Sequence, residues 1–182
     1  MNNNISILIN YISKQEADDL IELLNEYDQD DDNWGSPCFP EYWAQIGGDP
    51  GLQPESNPIP DLISRVTKTV SQHFSDGGLR QSTIKGHKHP IHSHTPLNGY
   101  KDYAAILYLN DEYKGGHFVM PAEEISLKLD TGTLIIFRDA GSAMAGRDEK
   151  RFYGVSNVEE GTRYSITFTF YAEGMTDIIY AE

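Results

Sequence analysis

The stretch HKHPIHSH, His87 to His94, places four histidines in eight residues. Elsewhere the chain has only His73 and His117, so imidazole-based metal chemistry would have to begin here. Alternate side chains of a β-strand point the same way, so His92 and His94 can present two imidazoles to one metal ion. His87 and His89 lie on the far side of Pro90 and read as part of a solvated loop leading into the strand. His-x-His is a short pattern, and an imidazole-rich polar loop would look the same. Cys38 is the only cysteine, so no internal disulfide can form, which suits a reducing compartment.

The elements that must carry these residues fall into two textures. Residues 5–9, ISILI, read as a short buried strand. Ser13, with Glu16 three residues on, forms a capping-box pattern. Ala17, Leu20, Ile21 and Leu24 then recur at helical spacing, which predicts an amphipathic helix over 14–27. Residues 28–59 are rich in Pro, Gly, Asp and Asn, with Trp34, Phe39, Tyr42 and Trp43 among them. They read as a packed excursion: a lid, a segment covering a sheet edge, or an ordered surface loop. Pro60 opens a second helix whose apolar face is Leu62, Ile63, Val66, Val70 and Phe74, ending near 75. From 79 onward, short runs rich in β-branched and aromatic residues alternate with turn residues. Strands are predicted at 79–85, 91–94, 102–109, 116–120, 124–129, 133–138, 152–156 and 162–171. Two helices followed by about eight strands make an α+β chain with a β-sandwich or barrel as its C-terminal part.

Length and charge bound the function. The 182 residues suit a single domain, residues 1–182, with 1–78 as the helical part, 79–172 as the β core and 173–182 as a tail. The net charge is −14, which opposes binding to naked nucleic acid or to an anionic membrane. The N-terminus lacks a basic segment followed by a long apolar run, and no stretch reaches the roughly 18 apolar residues of a membrane span. The expectation is a soluble, cytoplasmic protein. The sequence is silent on oligomeric state.

Read in order, HSH, AAILYLN at 104–110, GGHFVMP at 115–121, DTGTLIIF at 130–137 and YGVSNVEEGTRYSITFTFY at 153–171 resemble the 2-oxoglutarate- and iron(II)-dependent dioxygenases. The resemblance is to their prolyl 4-hydroxylase-like branch and covers residues 79–172, with the N-terminal strand and helix also similar. It implies a double-stranded β-helix, or jelly roll, with the N-terminal helices packed on one sheet. It also implies two cofactors, Fe(II) and the small-molecule cosubstrate 2-oxoglutarate, and a peptide or protein as substrate.

Carried across residue by residue, the resemblance makes His92 the first iron ligand, with Gly86 six residues before it. The family's aspartate falls on His94, which exchanges an anionic oxygen for a neutral nitrogen. Tyr108 matches a tyrosine that hydrogen-bonds the distal carboxylate of 2-oxoglutarate, and Phe118 an apolar position lining that pocket. His117, one residue off, is expected to face outward. Arg163 takes the place of the basic residue that pairs with the distal carboxylate, where a guanidinium fork suits two oxygens. Ser165 follows on the same strand face and could donate a further hydrogen bond. The family's second histidine ligand falls on Tyr153, and no histidine follows His117.

The cosubstrate half of the family's site is therefore kept and the metal half altered. His92, His94 and a Tyr153 phenolate could hold the metal. Asp139, Asp148 or Glu149 could supply a third ligand instead. Alternatively the metal is lost and Tyr153 fills the space. The first functional reading is a 2-oxoglutarate- and iron-dependent oxygenase hydroxylating an unactivated C–H bond. The second is a catalytically degenerate barrel acting as a binding or assembly protein. A cupin-like metal protein is disfavoured, because no downstream histidine completes its ligand set.

Overall fold

A computed structural model of the protein describes residues 5–26, 59–73, 79–89, 103–138 and 153–172, with 26, 79–89 and 171–172 as backbone alone. The predicted strand at 91–94, Phe74 and nearly all of the 28–59 excursion lie outside these residues. The order is β1 (Ile5–Leu8), α1 (Lys14–Glu26), α2 (Ile59–His73) and β2 (Leu79–His89), followed by β3 (Tyr103–Tyr108), β4 (Lys114–Gly115) and β5 (Phe118–Met120). A 3-10 turn (Pro121–Glu123) leads to β6 (Ile125–Leu127), β7 (Leu134–Arg138), β8 (Gly154–Val155), β9 (Val158–Glu160) and β10 (Arg163–Ala172). The protein is thus an α+β chain whose strands pair antiparallel throughout the described residues.

The main sheet has the order β1-β7-β3-β10-β2. One of its faces is covered by the two helices. Ala17, Leu20 and Leu24 of α1 and Ile59, Leu62, Val66 and Val70 of α2 are buried against Ala105, Leu107, Ile136, Ile166, Phe168 and Phe170 of the sheet. Each large aliphatic side chain buried this way contributes about 1.5–3 kcal/mol. Helix α1 starts where the Glu16 N–H donates to the Ser13 hydroxyl at 3.1 Å, the capping contact the sequence predicts. Arg65 of α2 pairs with Glu16 of α1. The Tyr11 and Thr69 hydroxyls meet at 3.0 Å, tying the start of α1 to the middle of α2.

The other face of the main sheet carries Ala104, Ile106, Tyr108, Ile135 and Phe137. They pack against Phe118 and Met120 of the small sheet β6-β5-β8 and against Tyr153. A separate two-stranded ribbon joins β4 to β9. Two sheets thus face each other across a second core, and the candidate site lies in that layer.

Three expectations are corrected. The segment 5–9 is not buried: β1 is an edge strand paired only to β7, with Ile7 and Ile9 exposed at 43% and 71%. Residues 86–89 are not a loop: β2 runs through to His89, held by pairing with β10 in which His87 stands opposite Ser165 and His89 opposite Arg163. The ribbon strands β4 and β9 are additional, too short to leave a pattern in sequence.

Candidate active site

The site is built on the start of β10 and the end of β3. Ser165 stands directly opposite Tyr108 in the register, so the two side chains share a face. Arg163 lies two residues before Ser165 and projects from that same face. This is the face of the second core, since Tyr108 belongs to it. Arg163 is 1% exposed, Tyr108 and Ser165 0%. The sequence expectation that Arg163 points inward is therefore met, and Ser165 shares its face as strand alternation predicts; that Tyr108 stands opposite Ser165 is added by the structure.

A fully buried guanidinium is costly unless something answers its charge. Its carbon lies 4.7 Å from the centre of the Tyr108 ring, a cation–π contact. No ion pair to Arg163 exists among the described residues. Arg163 Nε and the Tyr108 and Ser165 hydroxyls are buried without a hydrogen-bond partner among the described residues, and the Tyr113 hydroxyl, which makes no well-aligned hydrogen bond there, lies against the Arg163 guanidinium. Most buried polar groups are paired, so three hydroxyls beside a guanidinium whose own Nε is unpaired form a set of donors that could serve an acceptor-rich guest. A carboxylate has the acceptors these donors need and the charge the guanidinium needs.

Backbone contacts fix both ends of this arrangement. The Asn110 side chain donates from Nδ2 to the Thr162 carbonyl at 2.8 Å and accepts the Tyr164 N–H on Oδ1 at 2.8 Å. Those two residues flank Arg163, so one amide clamps the strand on either side of the arginine. The Leu109 N–H donates to the Tyr164 carbonyl at 3.1 Å. Tyr108 is held through its own backbone, which donates to the Thr133 carbonyl at 2.9 Å and accepts from the Gly132 N–H at 2.8 Å.

Gly116 packs between Tyr113 and Arg163. Its φ is +62°, a left-handed conformation that suits glycine. A Cβ there would stand 2.8 Å from Tyr113 Cε2 and 3.2 Å from Arg163 Cδ. The absent side chain is what lets the tyrosine ring and the arginine stem approach. Tyr113 is a site residue that the sequence reading missed. Its signal was modest: one aromatic in the charged turn Asp111-Glu-Tyr-Lys114. Burial pushes its phenol up to about 12, with the Arg163 guanidinium pulling the other way. The hydroxyl is thus a neutral donor over the whole physiological range.

Phe118 lies in the same core at 0% exposure, in contact with Phe137 at a centroid distance of 5.0 Å. Tyr153 completes the aromatic cluster, 4.5 Å from Phe137 edge-on and 6.1 Å from Phe118 in a stacked arrangement. Its residual exposure is 4%. The structure therefore brings Tyr108, Phe118, Tyr153, Arg163 and Ser165 into one layer. His92 and His94, together with Asp139, Asp148 and Glu149, lie outside the described residues. Among the described residues, no group of three His, Cys, Asp or Glu side chains could hold a metal. His117 is half-exposed and meets the Ser126 hydroxyl at 3.2 Å through Nδ1, in keeping with an outward-facing residue. No helix among the described residues is long and apolar enough to cross a membrane.

No protein-family model matches the sequence. No curated protein matches it either. Solved structures do match. The viral collagen prolyl hydroxylase from Paramecium Bursaria Chlorella virus-1, in its 2-oxoglutarate complex, aligns with a TM-score of 0.69 at 14% identity, over 93% of this chain and 96% of that one. HygX from Streptomyces hygroscopicus, with nickel and 2-oxoglutarate bound, aligns with a TM-score of 0.59 at 12% identity, over 94% and 84% of the two chains. A prolyl hydroxylase from Trichoplax adhaerens, in complex with a peptide fragment of the hypoxia inducible factor oxygen degradation domain, aligns with a TM-score of 0.57 at 15% identity, over 94% and 85%. The chain therefore has the fold shared by prolyl hydroxylases and other 2-oxoglutarate-dependent oxygenases.

Proposed function

We propose that this protein is a 2-oxoglutarate- and iron-dependent oxygenase that hydroxylates an unactivated C–H bond, with a peptide or protein side chain as its substrate. The observation that carries the reading is the buried Arg163, surrounded by hydroxyls that lack partners among the described residues. The distal carboxylate of 2-oxoglutarate supplies the charge and the lone pairs these donors require. Two facing antiparallel sheets, with helices on the outer face of the larger, support a double-stranded β-helix as the architecture. Solved proteins of this fold carry 2-oxoglutarate, nickel or a peptide, which supports the same choice of ligands here.

In this reading Arg163 fixes the cosubstrate by its far end, with Tyr108 and Ser165 donating to the same carboxylate. Phe118 lines the chain of the keto acid and keeps water out. His92, His94 and Tyr153 would hold the metal. Iron, when bound, would supply dioxygen activation coupled to oxidative decarboxylation of the keto acid. The protein's part is orientation and exclusion of side reactions. Succinate formation from 2-oxoglutarate, measured with iron(II) and oxygen, tests the proposal. It is expected in the wild type and absent from Arg163→Met. No succinate from the wild type, with any added divalent metal, would overturn it.

One observation favours a second reading. Tyr153, at the family's histidine position, packs against Phe118 and Phe137 as a core aromatic does. A degenerate barrel that binds without catalysing would retain the Arg163 pocket and need no metal. His92→Ala separates the two: it abolishes iron-dependent turnover in the oxygenase and leaves a degenerate binding protein unaffected.

A further inference from the structure

We propose that Tyr113 is a specificity-determining residue of the Arg163 pocket, its hydroxyl serving as an additional donor to the anion bound there. The inference rests on the proposed 2-oxoglutarate site and deepens it. The 2-oxoglutarate reading needs only Arg163, Tyr108 and Ser165, which all project from the paired strands β3 and β10. Tyr113 comes from elsewhere, from the turn between β3 and β4.

The turn is anchored in several ways. Gly161 (φ +83°) brings the β9–β10 turn against it, where a Cβ would stand 3.0 Å from the Glu112 carbonyl oxygen and 3.3 Å from Tyr113 Cα. The Lys128 ammonium sits 4.8 Å from the Tyr113 ring centre and donates to the Tyr113 carbonyl. The Gly116 N–H donates to the Asn157 carbonyl at 2.8 Å. The ring is thus held from several sides, at 4% exposure, and Gly116 leaves the space in which it lies beside the Arg163 stem. Its hydroxyl is buried against the Arg163 guanidinium, which can only donate to the phenol oxygen, so the phenol proton has no acceptor among the described residues. A buried hydroxyl proton without an acceptor, held beside a guanidinium, is a donor placed for a guest of that cation.

The donor set also defines the guest. One guanidinium and three neutral hydroxyls balance a single negative charge. A carboxylate fits this set, whereas a phosphate dianion would bring a second, unanswered charge into a buried place. Tyr113 therefore adds affinity for a monoanionic carboxylate without adding charge.

The test is Tyr113→Phe, which keeps the ring and its contact with Lys128. Two quantities are read on the full-length protein: the melting temperature without ligand, and the Kd for 2-oxoglutarate by anaerobic titration with iron(II) present. The expected result is an unchanged or higher melting temperature and a Kd weakened by roughly tenfold or more, the worth of a hydrogen bond to a charged group. A Kd equal to the wild-type value overturns the role of Tyr113 while leaving the 2-oxoglutarate site standing. A clearly lower melting temperature overturns it as well, because the hydroxyl would then be serving the protein itself. A wild type that does not bind 2-oxoglutarate removes both readings together.

Discussion

Arg163 lies over the face of Tyr108, its guanidinium carbon 4.7 Å from the ring centre, and both residues are all but fully buried. The ring's π-face offsets part of the cost of placing a cation there, but only part. The cation–π contact holds the guanidinium against the strand pair β3–β10. Its Nε has no hydrogen-bond partner among the described residues.

Arg163→Met keeps most of the side-chain volume and removes the charge. Relieving a buried cation that lacks an ion-pair partner among the described residues should leave the ligand-free protein as stable as the wild type, or more so. Binding of 2-oxoglutarate should fall by a hundredfold or more, since the guest's carboxylate would then be buried without its counter-ion. Thermal melting and calorimetric titration on the same preparation check both halves. A strongly destabilised variant would show that Arg163 is paired within the protein.

Asn110→Ala removes two hydrogen bonds that clamp the backbone on either side of Arg163. Each is worth about 1 kcal/mol, and the Thr162 carbonyl and Tyr164 N–H lose their side-chain partner. A loss of about 1–3 kcal/mol in urea denaturation is expected. The affinity for 2-oxoglutarate should also fall, because the arginine is no longer held in register. Asn110→Asp offers a finer probe. It keeps the acceptor for the Tyr164 N–H and loses the donor to Thr162, so its effect should be smaller on the Tyr164 side.

The Tyr113 phenol makes stability depend on alkaline pH. Burial raises it to about 12 in the folded protein, against the opposing pull of the Arg163 guanidinium. Tyr108 and Asp111 add to the rise. In the unfolded chain a tyrosine ionises near 10. Between those values the unfolded chain gives up the proton and the folded one keeps it, so stability falls as pH rises. The contribution is fully present below about pH 10 and lost by about pH 12. Tyr113→Phe cannot titrate there, so the wild type should lose on the order of 2 kcal/mol relative to the variant across that window. Denaturant midpoints of the two proteins at pH 8 and at closely spaced values above 10 check this. A constant difference would contradict it.

Gly116→Ala introduces a Cβ at a φ of +62° and 2.8 Å from the Tyr113 ring. The backbone penalty alone is about 1 kcal/mol, and the ring must also shift. Because the same Cβ lies 3.2 Å from Arg163 Cδ, the pocket is disturbed as well as the turn. A melting temperature lowered by several degrees, together with weaker 2-oxoglutarate binding, is expected. Unchanged binding would place the pocket away from Gly116.

Much of this site could be read from the sequence because strand alternation dictates side-chain direction. Arg163 and Ser165 had to share a face, and a resemblance carried by five stretches in order implied that this face is the interior one, with Tyr108 and Phe118. Tyr113 escaped because a turn has no such period: its inward direction comes from Gly116, Gly161 and Lys128, which lie apart in sequence or act only in three dimensions. The extension of β2 through Gly86, His87, Lys88 and His89 escaped for a different reason. None of these residues favours a strand, and the long pairing with β10 overrides their preferences. The apolar run at β1 suggested burial, yet an edge strand needs only one covered face, and Ile7 is left exposed.

The measurement that bears most directly on the central claim is anaerobic calorimetric titration with 2-oxoglutarate, with and without iron(II), on the wild type, Arg163→Met and His92→Ala. The expected result is binding by the wild type that strengthens with iron, is lost in Arg163→Met, and loses its iron dependence in His92→Ala. Wild-type protein that gives no binding heat, or binding that Arg163→Met leaves intact, would contradict it.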